Sequence, residues 1–140
     1  MPPLDALIAF FENLGRNDLE RFADFYAEDA YFKDPFNELR GVAAITQVFA
    51  HMFETVEAPR FRITERFPSE GGAMLLWTFH FLMRGRQQTI TGASHLRFDA
   101  SGKINFHYDY WDAAEELYEK LPLLGALLRA LKRRLGAAAP

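Results

Sequence analysis

The stretch NFHYDYWD, residues 105–112, holds side chains whose types and spacing suit acid–base chemistry. Read as a β-strand, it places His107, Asp109 and Trp111 on one face, because successive side chains in a strand point to opposite faces. An imidazole and a carboxylate on an aromatic surface are groups that enzymes use to move protons. The pattern therefore predicts a pocket in which Asp109 is the general acid or base and His107 orients or relays.

The opposite face of the same strand is entirely aromatic. It carries Phe106, Tyr108 and Tyr110, and the alternation of neighbouring predicted strands brings two histidines to the same side. An exposed aromatic surface of this size is typical of an interface. We therefore predict a homodimer through an outer sheet face composed of His80, His95, Phe106, Tyr108 and Tyr110.

Hydrophobic periodicity changes from helical to alternating near residue 60. The pattern predicts helices over residues 3–14, from Asn17 (with Glu20 completing a capping box) to Tyr26, and from Val42 to Val56. Predicted strands cover residues 30–34, 61–67, 73–83, 86–98 and 104–111, and residues 37–41 are predicted to be a loop. Helices followed by a meander of long antiparallel strands indicate an α+β fold.

The composition narrows the class of protein. A chain of 140 residues forms one domain, here 1–140, and its fourteen Phe, five Tyr and two Trp favour a cavity wall or a broad packed sheet. A net charge of −3 gives no general attraction to nucleic acid. The absence of cysteine excludes disulfides and thiolate catalysis and fits a cytoplasmic location. We see no secretory signal at the start and no apolar run of roughly 18 residues that would span a membrane.

The C-terminal segment is amphipathic. Leucines lie on one side and basic residues on the other, which predicts a helical extension over residues 113–135. We expect this helix to pack on its own domain or on a partner subunit. Binding to an anionic membrane surface is the alternative, and the acidic balance of the rest of the chain disfavours it.

The order of elements resembles the nuclear transport factor 2-like superfamily, which includes ketosteroid isomerase, limonene epoxide hydrolase and the polyketide cyclase SnoaL. The segments that carry the resemblance are FYAEDAYFKDP (25–35), Gly41 with Ile45, SHLRFDASGKI (94–104) and YDYWD (108–112). It covers about residues 4–115. It implies a cone in which a curved antiparallel sheet wraps around N-terminal helices and leaves a deep apolar cavity, usually in a homodimer.

The resemblance also implies roles for single residues. Asp34 stands where ketosteroid isomerase has its general base, Phe10 where it has an oxyanion-hole tyrosine, and Ser94 where it has a protonated aspartic acid. Phenylalanine donates no hydrogen bond and serine is a weaker donor than a carboxylic acid, so ordinary 3-oxosteroid isomerisation is not expected.

The epoxide hydrolase pattern is also incomplete. Residues 77–81 lack the Arg–Asp pair that the hydrolases carry on the corresponding strand. Asp109 resembles the later-strand carboxylate of epoxide hydrolases and SnoaL-like cyclases, and the cyclases need only one acid–base group.

These observations predict a small-molecule pocket and favour an acid–base enzyme: an isomerase, cyclase or hydrolase for an apolar, polycyclic or terpenoid-like substrate. The predicted catalytic residues are Asp109, Asp34 and His107. The predicted substrate contacts are Tyr26, Ser94, Trp77, Phe79, Phe81, Trp111, Phe10, Phe49 and Met52. No cofactor is needed, and a metal site would require more clustered ligands. The alternatives are a non-catalytic binding protein for a lipophilic ligand and a dimerisation scaffold whose own side chains fill the cavity.

Overall fold

The computed structural model describes residues 4–113 and 122–136. The helices are α1 (Leu4–Glu12), a 3-10 helix (Arg16–Arg21), α2 (Phe22–Phe25), α3 (Val42–Thr55) and α4 (Pro122–Leu135). The strands are β1 (Tyr26–Lys33), β2 (Glu38–Arg40), β3 (Glu57–Ser69), β4 (Gly72–Met83), β5 (Arg86–Phe98) and β6 (Ile104–Tyr110). Part of the predicted extension over residues 113–135 lies outside the described residues.

The six strands form one curved, open sheet in the order β2-β1-β6-β5-β4-β3. β1 pairs with β6 in parallel, and the other pairs are antiparallel. Register shifts interrupt the pairing of β3 with β4, and such bulges bend a strand and increase its twist. The predicted α+β fold, a curved sheet with N-terminal helices, is confirmed.

Strict alternation along β4 decides which sheet face is buried. Leu75, Trp77, Phe79 and Phe81 are buried on the inner face, whereas the residues between them are only half-buried. The inner face packs against the apolar stripes of α1 and α3. The buried residues of those stripes are Leu7, Ile8, Phe10 and Phe11 from α1 and Ile45, Phe49 and Phe53 from α3.

The second predicted helix differs from the structure. Residues 16–21 form a 3-10 helix, only one α-helical turn follows, and Tyr26 begins β1 instead of ending a helix. The predicted capping pair was also wrong, because the carboxylate of Asp18 accepts the Gly15 N–H at 2.8 Å. This bond makes Gly15 the start of the helix, and the early change to extended backbone turns the Tyr26 ring into the core.

The loop predicted over residues 37–41 contains a short strand. β2 pairs antiparallel with β1 at the edge of the sheet, and Tyr31 lies opposite Arg40. A three-residue strand has too few residues to show a clear alternation, so its pairing decides its structure.

The basic C-terminal helix exposes part of its apolar side. Leu127, Leu131 and Leu135 are 58%, 45% and 83% exposed, and they follow one another at the four-residue spacing of one helix face. The prediction that this helix packs on its own domain or on a partner subunit stays a prediction. Within residues 4–113 and 122–136, no helix has the length and apolar character required to cross a membrane.

Candidate functional site

Asp109 receives two hydrogen bonds on one oxygen of its carboxylate. His107 Nε2 lies 2.6 Å from Asp109 Oδ1, and the Ser94 hydroxyl donates to the same atom. The register of β5 and β6 sets this arrangement, because Ser94 is directly opposite Asp109. The other oxygen, Oδ2, has no hydrogen-bond partner among the described residues.

Tyr26 reaches the same group from β1. Its hydroxyl lies 2.7 Å from His107 Nδ1, and the two rings stack with centroids 5.9 Å apart. Burial raises the pKa of Tyr26 well above its ordinary value of 10.0, and the nearby charge of Asp109 raises it further. Tyr26 therefore keeps its proton, and when the proton of a neutral His107 lies on Nε2 the Tyr26 hydroxyl donates a hydrogen bond to Nδ1.

The carboxylate of Asp109 favours the tautomer of His107 that carries its proton on Nε2. With Nδ1 accepting, the neutral imidazole carries its proton on Nε2 and donates to Asp109. His107 is 3% exposed and lies among Phe11, Phe32 and Tyr26, so no water is needed to satisfy it. In the hydrogen-bond series Tyr26–His107–Asp109, each donor thus points toward the carboxylate. These bonds hold Asp109 in position.

Ser94 connects the carboxylate to the cavity wall. The Trp77 indole donates from Nε1 to Ser94 Oγ at 2.8 Å, so Ser94 accepts from the indole and donates to Asp109. The indole lies flat against Gly92, its partner across β4 and β5. A methyl group on Gly92 would come within 2.5 Å of the indole ring, so only glycine permits this ring position.

An apolar cavity of about 310 Å³ opens in front of Asp109. Its described walls include the predicted contacts Trp77, Phe79, Phe81, Trp111, Phe49 and Met52. A smaller inner space of about 30 Å³ continues toward Ser94 and His107. Asp109 lines both spaces, so its carboxylate lies where the apolar walls meet the polar network.

Asp34 lies at the same cavity but outside this network. Its Oδ1 accepts the backbone N–H groups of Phe36 and Asn37 at 2.8 and 2.7 Å, and the Asn37 side chain donates at 3.1 Å. These bonds form the turn that follows β1. Asp34 lines the cavity with Asp109, but the structure does not bring it into contact with His107 or Asp109, so its catalytic role stays a prediction.

Two predicted substrate contacts are placed elsewhere. Phe10 stacks on Phe25 with centroids 4.3 Å apart and meets the edge of Phe22, and it is not among the described residues that line the cavity. Helix α1 turns this ring into the core, which corrects its assignment to the pocket. Tyr26 is 1% exposed and acts through His107 rather than from the cavity wall.

Several cavity residues were not identified from the sequence. The additional wall residues include His51, Phe36, Phe61, Val56, Met83 and Ile90. Gly92 had a usable signal, since a glycine inside a strand often marks the close approach of another group. No group of three or more side chains suited to hold a metal ion occurs within the described residues.

The outer face of the sheet carries the predicted aromatic row. Tyr108 stacks on Tyr110 at 4.3 Å, Phe106 continues the row, and the edge of His95 meets Phe106. Tyr110 is 51% exposed. His80 is half-buried between the hydroxyls of Thr78 and Thr89. The homodimer through this face stays a prediction.

The structure is an α+β protein with a curved, open sheet and N-terminal helices, and Asp109 lines an apolar pocket on the inner side of the sheet. The family model that describes the SnoaL-like domain matches residues 7–107, and the chain belongs to this family. A comparison of the sequence with curated proteins gives no significant match.

Solved structures share the fold at low sequence identity. A hypothetical protein of ketosteroid isomerase-like fold from Catenulispora acidiphila, solved in complex with trimethylamine, is 18% identical with a TM-score of 0.71; the match covers 84% of this chain and 91% of that one. An NTF2-like protein of unknown function from Burkholderia pseudomallei is 20% identical with a TM-score of 0.70, covering 80% and 92%. An LEH-like epoxide hydrolase from M. tuberculosis is 15% identical with a TM-score of 0.66, covering 96% and 93%. At these identities the likeness shows the fold.

Proposed function

We propose that this protein is a cofactor-independent acid–base enzyme that moves a proton on an apolar small molecule. The observation that carries the proposal is the carboxylate of Asp109, which is held on Oδ1 by His107 and Ser94 and belongs to a residue that lines an apolar cavity. Isomerisation, cyclisation and epoxide hydration all use such a step.

The roles follow from the hydrogen bonds. Asp109 takes a proton from the substrate and returns it, while His107 orients the carboxylate and Tyr26 holds the imidazole in its Nε2–H form. Aromatic walls make the surroundings of the carboxylate less polar than water, which strengthens electrostatic interactions inside the cavity. Asp34, at the same cavity, is the candidate for a second proton-transfer or substrate-positioning group.

The dimerisation scaffold is disfavoured by the open cavity, since that alternative predicts that the domain's own side chains fill it. A non-catalytic binding protein for a lipophilic ligand is the remaining alternative. It predicts that Asp109 contributes to ligand affinity and that no turnover occurs.

The test is Asp109→Asn, which keeps the shape of the side chain and removes its basicity. A panel of apolar ketones, epoxides and cyclisation substrates is first assayed with the wild type. For a neutral substrate found in this panel, we expect kcat to fall by about 10²- to 10⁴-fold, with the affinity for that substrate nearly unchanged. Asp24→Asn, at an exposed position of α2, is the matched control and should keep full activity.

Two results would contradict the proposal. Unchanged kcat in Asp109→Asn would remove the carboxylate from the chemistry. No turnover by the wild type across the panel, together with measurable ligand binding, would favour the binding protein.

A further inference from the structure

The cavity carries two carboxylates. Its described lining residues include the carboxylates of Asp34 and Asp109 and one imidazole, that of His51, but no lysine or arginine. Lys33 lines a neighbouring opening with Asp34 and Asp109, and its ammonium lies 5.9 Å from the Tyr108 ring centroid.

Neither carboxylate is paired with a lysine or an arginine among the described residues. Asp109 accepts from the Ser94 hydroxyl and from His107 Nε2, and the hydrogen bonds that Asp34 accepts come from N–H groups of its own turn. A carboxylate next to apolar walls is stabilised when a cation comes close to it, so two such groups at one cavity favour a cationic ligand.

The remaining walls also favour a cation. Trp77 and Trp111 line the cavity together with Phe36, Phe61, Phe79 and Phe81. The faces of aromatic rings carry partial negative charge and attract cations, most strongly those of tryptophan. The same surface accepts the alkyl groups of an organic cation and repels an anion, so walls and carboxylates select for the same ligand chemistry.

We infer that the substrate or ligand of this cavity is an organic ammonium ion: a protonated or quaternary amine with an apolar body, whose nitrogen lies beside Asp109 and the indole rings. This inference rests on the proposed function because both place the ligand in the same cavity. The inference goes beyond the proposed function in assigning a positive charge to the ligand. The proposed acid–base step does not require that charge.

The experiment compares three probes of similar shape with the intact protein. They are benzyltrimethylammonium, its neutral carbon isostere 2,2-dimethylpropylbenzene, and the anion 3-phenylpropanoate. The protein contains two tryptophans and both line the cavity, so tryptophan fluorescence reports occupancy directly. We expect the cation to bind at least about tenfold more tightly than its neutral isostere, and the anion to bind most weakly.

Variants identify the source of the preference. In Asp109→Asn the ratio of cation to neutral affinity should fall by about tenfold, while the affinity for the neutral probe stays within about twofold. Asp34→Asn should also lower the ratio of cation to neutral affinity, and it serves as the test if Asp109→Asn proves unstable. Asp24→Asn should keep the wild-type ratio. Thermal unfolding of each variant checks that it folds.

The outcomes separate this inference from the proposed function. If the neutral probe binds as tightly as the cation, or if the cation preference survives both Asn substitutions, the ammonium inference is wrong while the apolar cavity and its acid–base role stand. If none of the three probes binds, the inference and the cavity-based function both fail.

Discussion

At the scale of single residues, the position of Asp109 depends on hydrogen-bonded neighbours. Tyr26 contacts Nδ1 of His107, and His107 and Ser94 both contact Oδ1 of Asp109. Each donor in this hydrogen-bond network has one acceptor. Removing a donor therefore leaves a buried polar atom unsatisfied, which lowers the free energy of unfolding by about 1–3 kcal/mol.

Tyr26 makes a pH-dependent contribution to stability. Its pKa in the folded protein lies well above 10.0 because of burial and then Asp109, so its contribution is complete below about pH 10 and is lost as the pH rises further. We expect the free energy of unfolding, measured with urea between pH 8 and 11, to fall more steeply above pH 10 in the wild type than in Tyr26→Phe.

The control for this measurement is Tyr110→Phe, at a position that is 51% exposed, which should keep the wild-type slope. Tyr26→Phe should also be less stable at neutral pH by about 1–3 kcal/mol, because His107 Nδ1 loses its donor. A Tyr26→Phe curve parallel to the wild type above pH 10 would show that burial of this hydroxyl does not shift its titration.

At the scale of elements, the pairing of β4 with β5 places the Trp77 indole. Trp77 lies opposite Gly92, and two residues further along β5 Ser94 accepts the indole N–H. The two strands thus hold the cavity wall and one of the donors to Asp109 in a single unit. The inner face of the sheet positions the site, and α3 closes the cavity with Phe49 and Met52.

Gly92→Ala tests this unit. The added methyl group would lie 2.5–2.6 Å from the Trp77 ring, so the indole must move or the strands must separate. We expect a loss of about 1–3 kcal/mol in the free energy of unfolding and a change in tryptophan emission, measured by denaturant unfolding and fluorescence.

Gly15→Ala is the matched control, because its added methyl group meets only the Asp18 carboxylate at 3.7 Å, an ordinary contact. It should keep the wild-type tryptophan spectrum. A Gly92→Ala protein with wild-type stability and spectrum would show that the indole does not depend on close contact with β5.

At the scale of the whole molecule, the two faces of the sheet differ. The inner face borders the cavity, and the outer face carries the aromatic row of Phe106, Tyr108 and Tyr110, of which Phe106 and Tyr108 are half-buried and Tyr110 is exposed. An exposed aromatic surface on a folded domain indicates an interaction surface. The predicted partner for it is a second copy of this chain.

The homodimer prediction is tested with Tyr110→Lys. A lysine at this half-exposed position would place two like charges in a symmetric interface and remove a stacked ring, so we expect a monomer by analytical ultracentrifugation where the wild type is a dimer. Ala43→Lys, on the exposed side of α3, should leave the dimer intact. A monomeric wild type, or a dimer that Tyr110→Lys does not weaken, would move the interface elsewhere.

Local pattern was sufficient for much of this molecule. The alternation of β6 predicted that His107 and Asp109 share a face, and the alternation of β4 predicted the wall residues Trp77, Phe79 and Phe81. Strand β5 was predicted with its observed bounds, Arg86–Phe98, because the turns at each end are encoded by adjacent residues. Side chains two residues apart on one strand lie on the same face because the backbone is extended, whatever the strand pairs with.

Contacts between residues that are distant in the sequence could be read only from the tertiary structure. Tyr26 reaches His107 across 81 positions only because β1 pairs in parallel with β6, and Ser94 reaches Asp109 through the register of two strands. Phe10 turned into the core, where Phe22 and Phe25 cover it. The hydrophobic period of a segment depends on its own residues, whereas strand partner, register and the side on which a helix packs depend on which contacts elsewhere in the chain bury the most apolar surface.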